Sequence, residues 1–100
     1  MPTLGFLVTF EAQPGKEDDV AAFLTEPLAM VEAEPGTFTW NSFRSGPTTF
    51  GIFDTFDTED DRHFHLNGEV RKAIEARAAD LFAVAPTISP VDIIATKLPA

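Results

Sequence analysis

The sequence predicts an α+β domain of the ferredoxin-like class, with element order β-α-β-β-α-β and a four-stranded antiparallel sheet. Four runs rich in β-branched and aromatic residues are bounded by turn residues, and two intervening stretches have apolar residues at helical spacing. One short turn joins the second and third runs as a hairpin. With 100 residues, no repeat and no linker, the chain is expected to form one domain over 1–100.

The first strand is predicted in TLGFLVTFEA, residues 3–12. One side of this strand is apolar, and Leu7 makes the other side apolar too, so we expect both sides to be covered. A helix should follow Pro14-Gly15, because Glu17, Asp18 and Asp19 fill a first turn where the helix dipole favours negative charge. Pro27 falls inside the apolar pattern and predicts a kink or break near residues 23–27.

The hairpin is predicted from TFTWNSFR (37–44) and TTFGIFDTF (48–56), joined by SGP. A hairpin symmetric about this turn places Phe38 opposite Asp54 and Trp40 opposite Ile52. Alternate residues of both strands then share one face, although a shift of one residue would separate the two sets.

The second helical stretch spans residues 58–83, and Thr58 with Asp61 resembles a capping box at its start. Asn67-Gly68 is a site where the helix can divide in two. The inward-facing residues are predicted to be Leu66, Val70, Ala73, Ile74, Arg77, Ala78 and Leu81. A last strand is expected from about Ile88 to Lys97.

Composition limits the function. The net charge of −9 and the absence of a Lys/Arg cluster make nucleic acid an unsuitable partner. The chain has no cysteine, and it has neither a charged leader nor an apolar run long enough to span a membrane. We therefore expect a cytoplasmic protein that does not bind membranes.

Several segments together resemble the antibiotic-biosynthesis-monooxygenase-like domains of the dimeric α+β barrel superfamily. They are PGKEDDVAAFL, EPGTFTW, FGIFDTF followed by FHL, and PTISPVDIIATK, so the resemblance covers roughly residues 3–97. It implies a homodimer whose sheets pack face to face, with a ligand cavity between sheet and helices in each subunit. Leu7, Phe43, Phe53 and Ile94 are expected on the sheet face that the second copy would cover.

The family includes proteins that oxidise quinols or polyphenols with molecular oxygen and without a bound metal or flavin, so the resemblance implies no cofactor. Matched residue by residue, its acidic-x-aromatic strand end falls on Asp54 and Phe56, its HL histidine on His65, and the aromatic after EPG on Trp40. The Asn and Trp of the cofactor-free oxygenases have no counterpart here, since Phe56 stands where the Trp would be. The first strand also lacks the Asn of haem-degrading members.

Asp54 is costly to bury without a partner, and two interpretations stand side by side. In one, Asp54 orients His65, which accepts a substrate proton at the mouth of a cavity. In the other, Asp54 pairs with Arg62 or caps a helix. Trp40, Phe56 and Arg62 are the predicted substrate-binding residues.

The H-x-H pair of His63 and His65 raises the question of a metal site. On a helix the two side chains point roughly 200° apart and cannot hold one ion, so no metal is expected. An unbroken helical phase through Leu66 and Val70 turns His63 inward, whereas the family resemblance favours His65.

Three alternatives follow from these observations, and the last of them is a purely structural dimer with no cavity. The first is a cofactor-independent monooxygenase acting on a small aromatic, quinol or polyketide-like substrate, with His65 as the base, Asp54 as its orienting partner, and Trp40 and Phe56 as cavity walls. The second is a non-catalytic, ligand-binding or stress-related homodimer of the same superfamily.

Overall fold

Four antiparallel strands form one sheet in the order β2-β3-β1-β4, and four helices accompany it. The computed structural model describes residues 2–99, so the first and last residues of the predicted domain lie outside the described part. The ferredoxin-like α+β class is confirmed, with each predicted helix divided in two. The elements are β1 (Leu4–Glu11), α1 (Glu17–Phe23), α2 (Leu28–Glu32), β2 (Thr37–Arg44), β3 (Thr49–Phe56), α3 (Glu59–Leu66), α4 (Glu69–Leu81) and β4 (Thr87–Asp92).

Both helix divisions fall where the sequence predicts them. α1 ends at Phe23, and Pro27, which has no N–H to donate to a preceding turn, stands directly before α2. α3 and α4 are separated at Asn67-Gly68. The predicted cap is confirmed as well, because the Thr58 hydroxyl accepts the Asp61 N–H at 3.1 Å.

The predicted last strand is too long. It ends at Asp92, which pairs with Leu4 at the start of its partner strand β1. The Ile93 N–H donates to the Thr3 carbonyl at 2.8 Å. Ile94 therefore lies beyond the sheet, and its side chain is 99% exposed.

The predicted hairpin register is wrong by two residues: Trp40, not Phe38, lies opposite Asp54. The reason lies at the turn, where the Ser45 N–H bonds the Thr49 carbonyl and four residues follow β2 before β3 begins. Because side chains alternate between the two faces of a strand, a register shift of two residues keeps the same side chains on the face toward the helices. Phe38 is the exception, because an irregularity between Thr37 and Thr39 leaves it exposed.

The hydrophobic core lies between the helices and one face of the sheet. It includes Phe6, Val8 and Phe10 from β1 together with Phe50, Ile52 and Phe56 from β3. Arg77, predicted to point inward, is instead exposed on α4, and its guanidinium lies 5.6 Å from the Phe23 ring centroid. A charged head cannot enter this core without a partner, so the side chain covers the core edge from outside.

The other sheet face is open and carries an exposed apolar patch beside polar residues such as Thr39 and Asn41. Leu7 pairs with Phe53 near its centre, and Leu7 and Phe43 are 37% and 38% exposed. These positions agree with the sequence prediction for this face. Among residues 2–99, no helix combines the length and apolar character needed to cross a bilayer.

Candidate functional site

Asp54 is a buried carboxylate in the middle of the sheet. β3 carries it between β1 and β2, opposite Phe6 on one side and Trp40 on the other. Because side chains alternate along a strand, Asp54 faces the helices together with Ile52 and Phe56. Its Oδ1 accepts the Phe6 N–H at 3.2 Å, so the strand pairing itself fixes the carboxylate.

His65 approaches Asp54 from α3. Its Nε2 lies 3.0 Å from Asp54 Oδ2, and both side chains are buried. His63, two residues earlier, is exposed on the opposite side of the short helix. The helix breaks at Asn67-Gly68, so α3 does not share the phase of α4 that would turn His63 inward, and His65 is the buried histidine.

Glu34 completes the cluster, and the sequence reasoning missed it. Its Oε1 lies 2.6 Å from His65 Nδ1, and Oε2 lies 3.2 Å from the same atom. Glu34 lies two residues beyond the end of α2, and its N–H bonds the Val31 carbonyl. No local pattern marks Glu34 as a partner of His65, because the two residues lie 31 positions apart in the sequence.

Two carboxylates on one imidazole decide its charge. Burial lowers the pKa of His65, but the hydrogen bonds and negative charges of Asp54 and Glu34 outweigh it and raise the pKa above the ordinary 6.5. Only the doubly protonated ring can donate to both carboxylates. The Glu34–His65–Asp54 cluster therefore favours an imidazolium with neither ring nitrogen free to accept a proton.

A cavity of about 220 Å³ opens beside this cluster, between the sheet and the last two helices. Asp54 and His65 form part of its wall, and Arg71 and Glu75 of α4 contribute the other charged groups. Most of the remaining wall is aliphatic and includes Val8, Ile52, Val70, Ile74 and Ile88. The space can hold a small, largely apolar molecule whose polar groups meet charged side chains.

The three predicted substrate-binding residues do not line this cavity. Phe56 is buried behind it and contacts the imidazole, with ring centroids 5.3 Å apart. Arg62 bonds Glu59 at 2.7 Å and lies over the Phe6 ring, so it is engaged away from Asp54. Trp40 packs against the core.

The Trp40 indole also has an unusual donor. Its Nε1 is buried and has no hydrogen-bond partner among residues 2–99. The residue lies opposite Asp54 in the hairpin, one strand away from the cavity wall.

Metal binding has no support from side-chain geometry. Within the described chain, no group of three or more His, Asp and Glu side chains is placed to hold an ion. His63 and His65 diverge as a helix requires, and the His65 ring nitrogens point to carboxylates on opposite sides.

Three solved structures illustrate what this chain resembles. The NE2512 protein of unknown function from Nitrosomonas europaea matches with 44% identity and a TM-score of 0.95, over 100% of this chain and 97% of that one. A candidate antibiotic biosynthesis monooxygenase from Caulobacter crescentus matches at 23% identity and a TM-score of 0.79, over 94% and 92%. PA3566 from Pseudomonas aeruginosa matches with 18% identity and a TM-score of 0.80, over 95% of this chain and 97% of that one.

No protein-family model matches the chain, and no curated protein does. The Caulobacter crescentus and Pseudomonas aeruginosa structures show similarity of fold alone. The NE2512 protein is similar in sequence as well, over the whole chain.

Proposed function

The chain belongs to the family of the NE2512 protein and has the fold of antibiotic-biosynthesis-monooxygenase-like domains, and on this premise we propose that it is a cofactor-independent monooxygenase acting on a small aromatic molecule. The supporting observation is the Glu34–His65–Asp54 cluster at the wall of an apolar cavity. A fold hosts many functions, so the proposal rests on this site.

The proposed roles of Asp54 and His65 are the reverse of those that the sequence suggested. His65 has both nitrogens engaged, whereas the Asp54 oxygens accept one hydrogen bond each and have lone pairs left. In the proposed mechanism Asp54 accepts the proton of a bound phenol. His65, held by Glu34, positions the carboxylate and keeps a positive charge beside the developing phenolate.

The phenolate then reduces oxygen itself. One phenol and one dioxygen give one quinone and one water, with four electrons passing from the ring to oxygen. One oxygen atom becomes the second carbonyl of the ring, and the other leaves as water with the hydrogens of the original O–H and C–H bonds. The protein supplies the proton acceptor and a site that excludes bulk water.

Oxygen uptake with simple hydroquinones and phenols tests the proposal. We expect uptake with the wild type and a loss of about a hundredfold or more in Asp54→Asn, which cannot accept the proton. Asp57→Asn, an exposed carboxylate just beyond β3, is the matched control and should keep the wild-type rate. Equal rates for Asp54→Asn and the wild type would contradict the mechanism.

The second candidate is a non-catalytic ligand-binding protein. Its support is that each His65 ring nitrogen contacts a carboxylate, because such contacts also stabilise a buried charge that has no catalytic role. Binding of phenols to the wild type without any oxygen uptake would establish this candidate.

We also propose that the chain forms a homodimer through its open sheet face. The support is the apolar surface around Leu7, Phe43 and Phe53, which a second sheet of the same kind can cover. The cavity lies on the opposite side of the sheet, so each subunit would keep its own site.

A further inference from the structure

The cavity is polar at two places that differ in depth. Asp54 is 1% exposed, which puts its carboxylate at the inner end of the cavity. Arg71 and Glu75 on α4 have side chains that are 41% and 64% exposed, so they stand where the cavity meets solvent. The wall between these groups is mostly aliphatic, with the Phe6 ring as its aromatic member. A ligand that satisfies this wall has an apolar body and a different polar group at each end.

The volume limits that body to one ring. An apolar cavity of about 150 Å³ can hold benzene, and typical drug-sized ligands occupy about 300 Å³ or more. At about 220 Å³, the cavity has room for a benzene ring with short substituents and not for a polycyclic molecule.

The charges indicate the two substituents. The inner end carries an acceptor, because Asp54 keeps lone pairs after binding the Phe6 N–H and His65. A hydroxyl can donate there, whereas an anion would be repelled. The outer end carries Arg71, whose Nε donates to Glu75 at 2.9 Å and whose remaining N–H groups can bind a carboxylate.

We propose that the ligand is a one-ring phenolic acid, with its hydroxyl on Asp54 and its carboxylate on Arg71. This inference names the substrate class of the proposed monooxygenase and rests on that function for its site, while its test depends only on binding. Glu75 is then a selectivity residue, because its carboxylate competes with that of the ligand for the same guanidinium.

Calorimetric titration of the full chain with three related compounds tests the proposal: 4-hydroxyphenylacetate, 4-methoxyphenylacetate and methyl 4-hydroxyphenylacetate. Losing the hydroxyl proton in the ether should weaken binding about tenfold, as expected for a buried hydrogen bond to a charged group. Losing the charge in the ester should weaken it about three- to fivefold, as expected for a partly exposed ion pair.

The variants locate the outer contact. Arg71→Gln should weaken the acid about three- to fivefold and leave the ester unchanged, and Glu75→Gln should strengthen the acid. Arg77→Gln is the matched control, since Arg77 lies on the same helix, pairs with Asp80 at 3.2 Å and does not line the cavity. It should leave the affinity for all three compounds unchanged.

Equal affinity for the acid, the ether and the ester would overturn the proposal, and so would failure of the acid to bind. The comparison of compounds uses the wild type alone, so it stands even if a variant fails to fold. If the acid binds with the expected selectivity but oxygen uptake is absent, the ligand class holds and the monooxygenase proposal fails. If uncharged phenols support oxygen uptake but the acid binds no better than the ester, the monooxygenase proposal holds and the ligand class fails.

Discussion

At the scale of single residues, the charge on His65 links the candidate site to stability. Its imidazole is buried between Asp54 and Glu34, and the folded protein binds the ring proton more tightly than the unfolded chain does. A proton held in this way stabilises the folded state only while it is bound. The same contacts that arrange the site should therefore make the protein sensitive to alkaline pH.

We predict that the free energy of unfolding falls as the pH rises above 6.5, because the stabilisation from His65 is complete below the unfolded pKa of 6.5 and is lost as the pH passes through the raised folded pKa. Glu34→Gln should flatten this slope and cost about 2 kcal/mol at the acidic end, as expected for a hydrogen bond to a charged group. Urea unfolding across this pH range provides the measurement.

His63→Gln supplies the control for this experiment, because His63 is exposed on the same helix. Its slope should match that of the wild type. A wild-type slope that persists in Glu34→Gln would mean that Glu34 does not hold the ring proton.

Residue patterns predicted part of this site. Asp54 and His65 were both candidates, because a carboxylate inside an aromatic strand requires a partner and the family resemblance favours His65. Glu34 could not be found in the same way. Its contact with His65 joins a turn after α2 to a helix about thirty residues later, and no local periodicity reports such a distance.

At the scale of elements, the start of α3 holds His65 in place. This helix has only eight residues, too few to be stable without its cap and its packing. The Thr58 hydroxyl accepts the Asp61 N–H, and Glu59, Asp60 and Asp61 place negative charge in the first turn. The position of the imidazole thus depends on a cap two helical turns away.

Thr58→Ala should lower stability by about 1 kcal/mol, the usual cost of losing an N-terminal cap. For a domain of this size, that loss corresponds to a melting temperature lower by about 5 °C. Thr58→Ser keeps the accepting oxygen and should restore most of the difference in a thermal melt. An unchanged melting temperature in Thr58→Ala would show that packing alone fixes α3.

The elements themselves were largely predictable, because proline, glycine and first-turn acidic residues act locally. The two errors in the strands, the length of β4 and the register of the hairpin, both came from strand pairing. The end of β4 coincides with the start of β1, and the hairpin register depends on the turn conformation and on an irregularity in β2. The residues of β4 do not determine where β4 ends, and the residues of β3 do not determine its register with β2.

At the scale of the whole molecule, the open sheet face offers the clearest test of assembly. Leu7 and Phe53 are paired near the centre of this face, so a charge there would be buried by any second sheet. We predict that light scattering coupled to size-exclusion chromatography finds the wild type as a dimer and Leu7→Glu as a monomer.

Phe64→Glu is the matched control. Phe64 is also an exposed apolar residue, at 68%, but it lies on α3, away from the sheet face. Its dimer should persist. A monomeric wild type, or a Leu7→Glu variant that remains dimeric, would contradict assembly through this face.

The position of β1 has a consequence for how the chain folds. β1 is paired on both sides from Leu4 to Thr9, yet its partners come late in synthesis: Val8 pairs with Ile52 and with Ile88. The hairpin can form as soon as both of its strands leave the ribosome, but β1 must wait for β4, almost the whole length of the domain. Such distant pairings slow folding, so nascent chains should reach the folded state only after translation has passed β4.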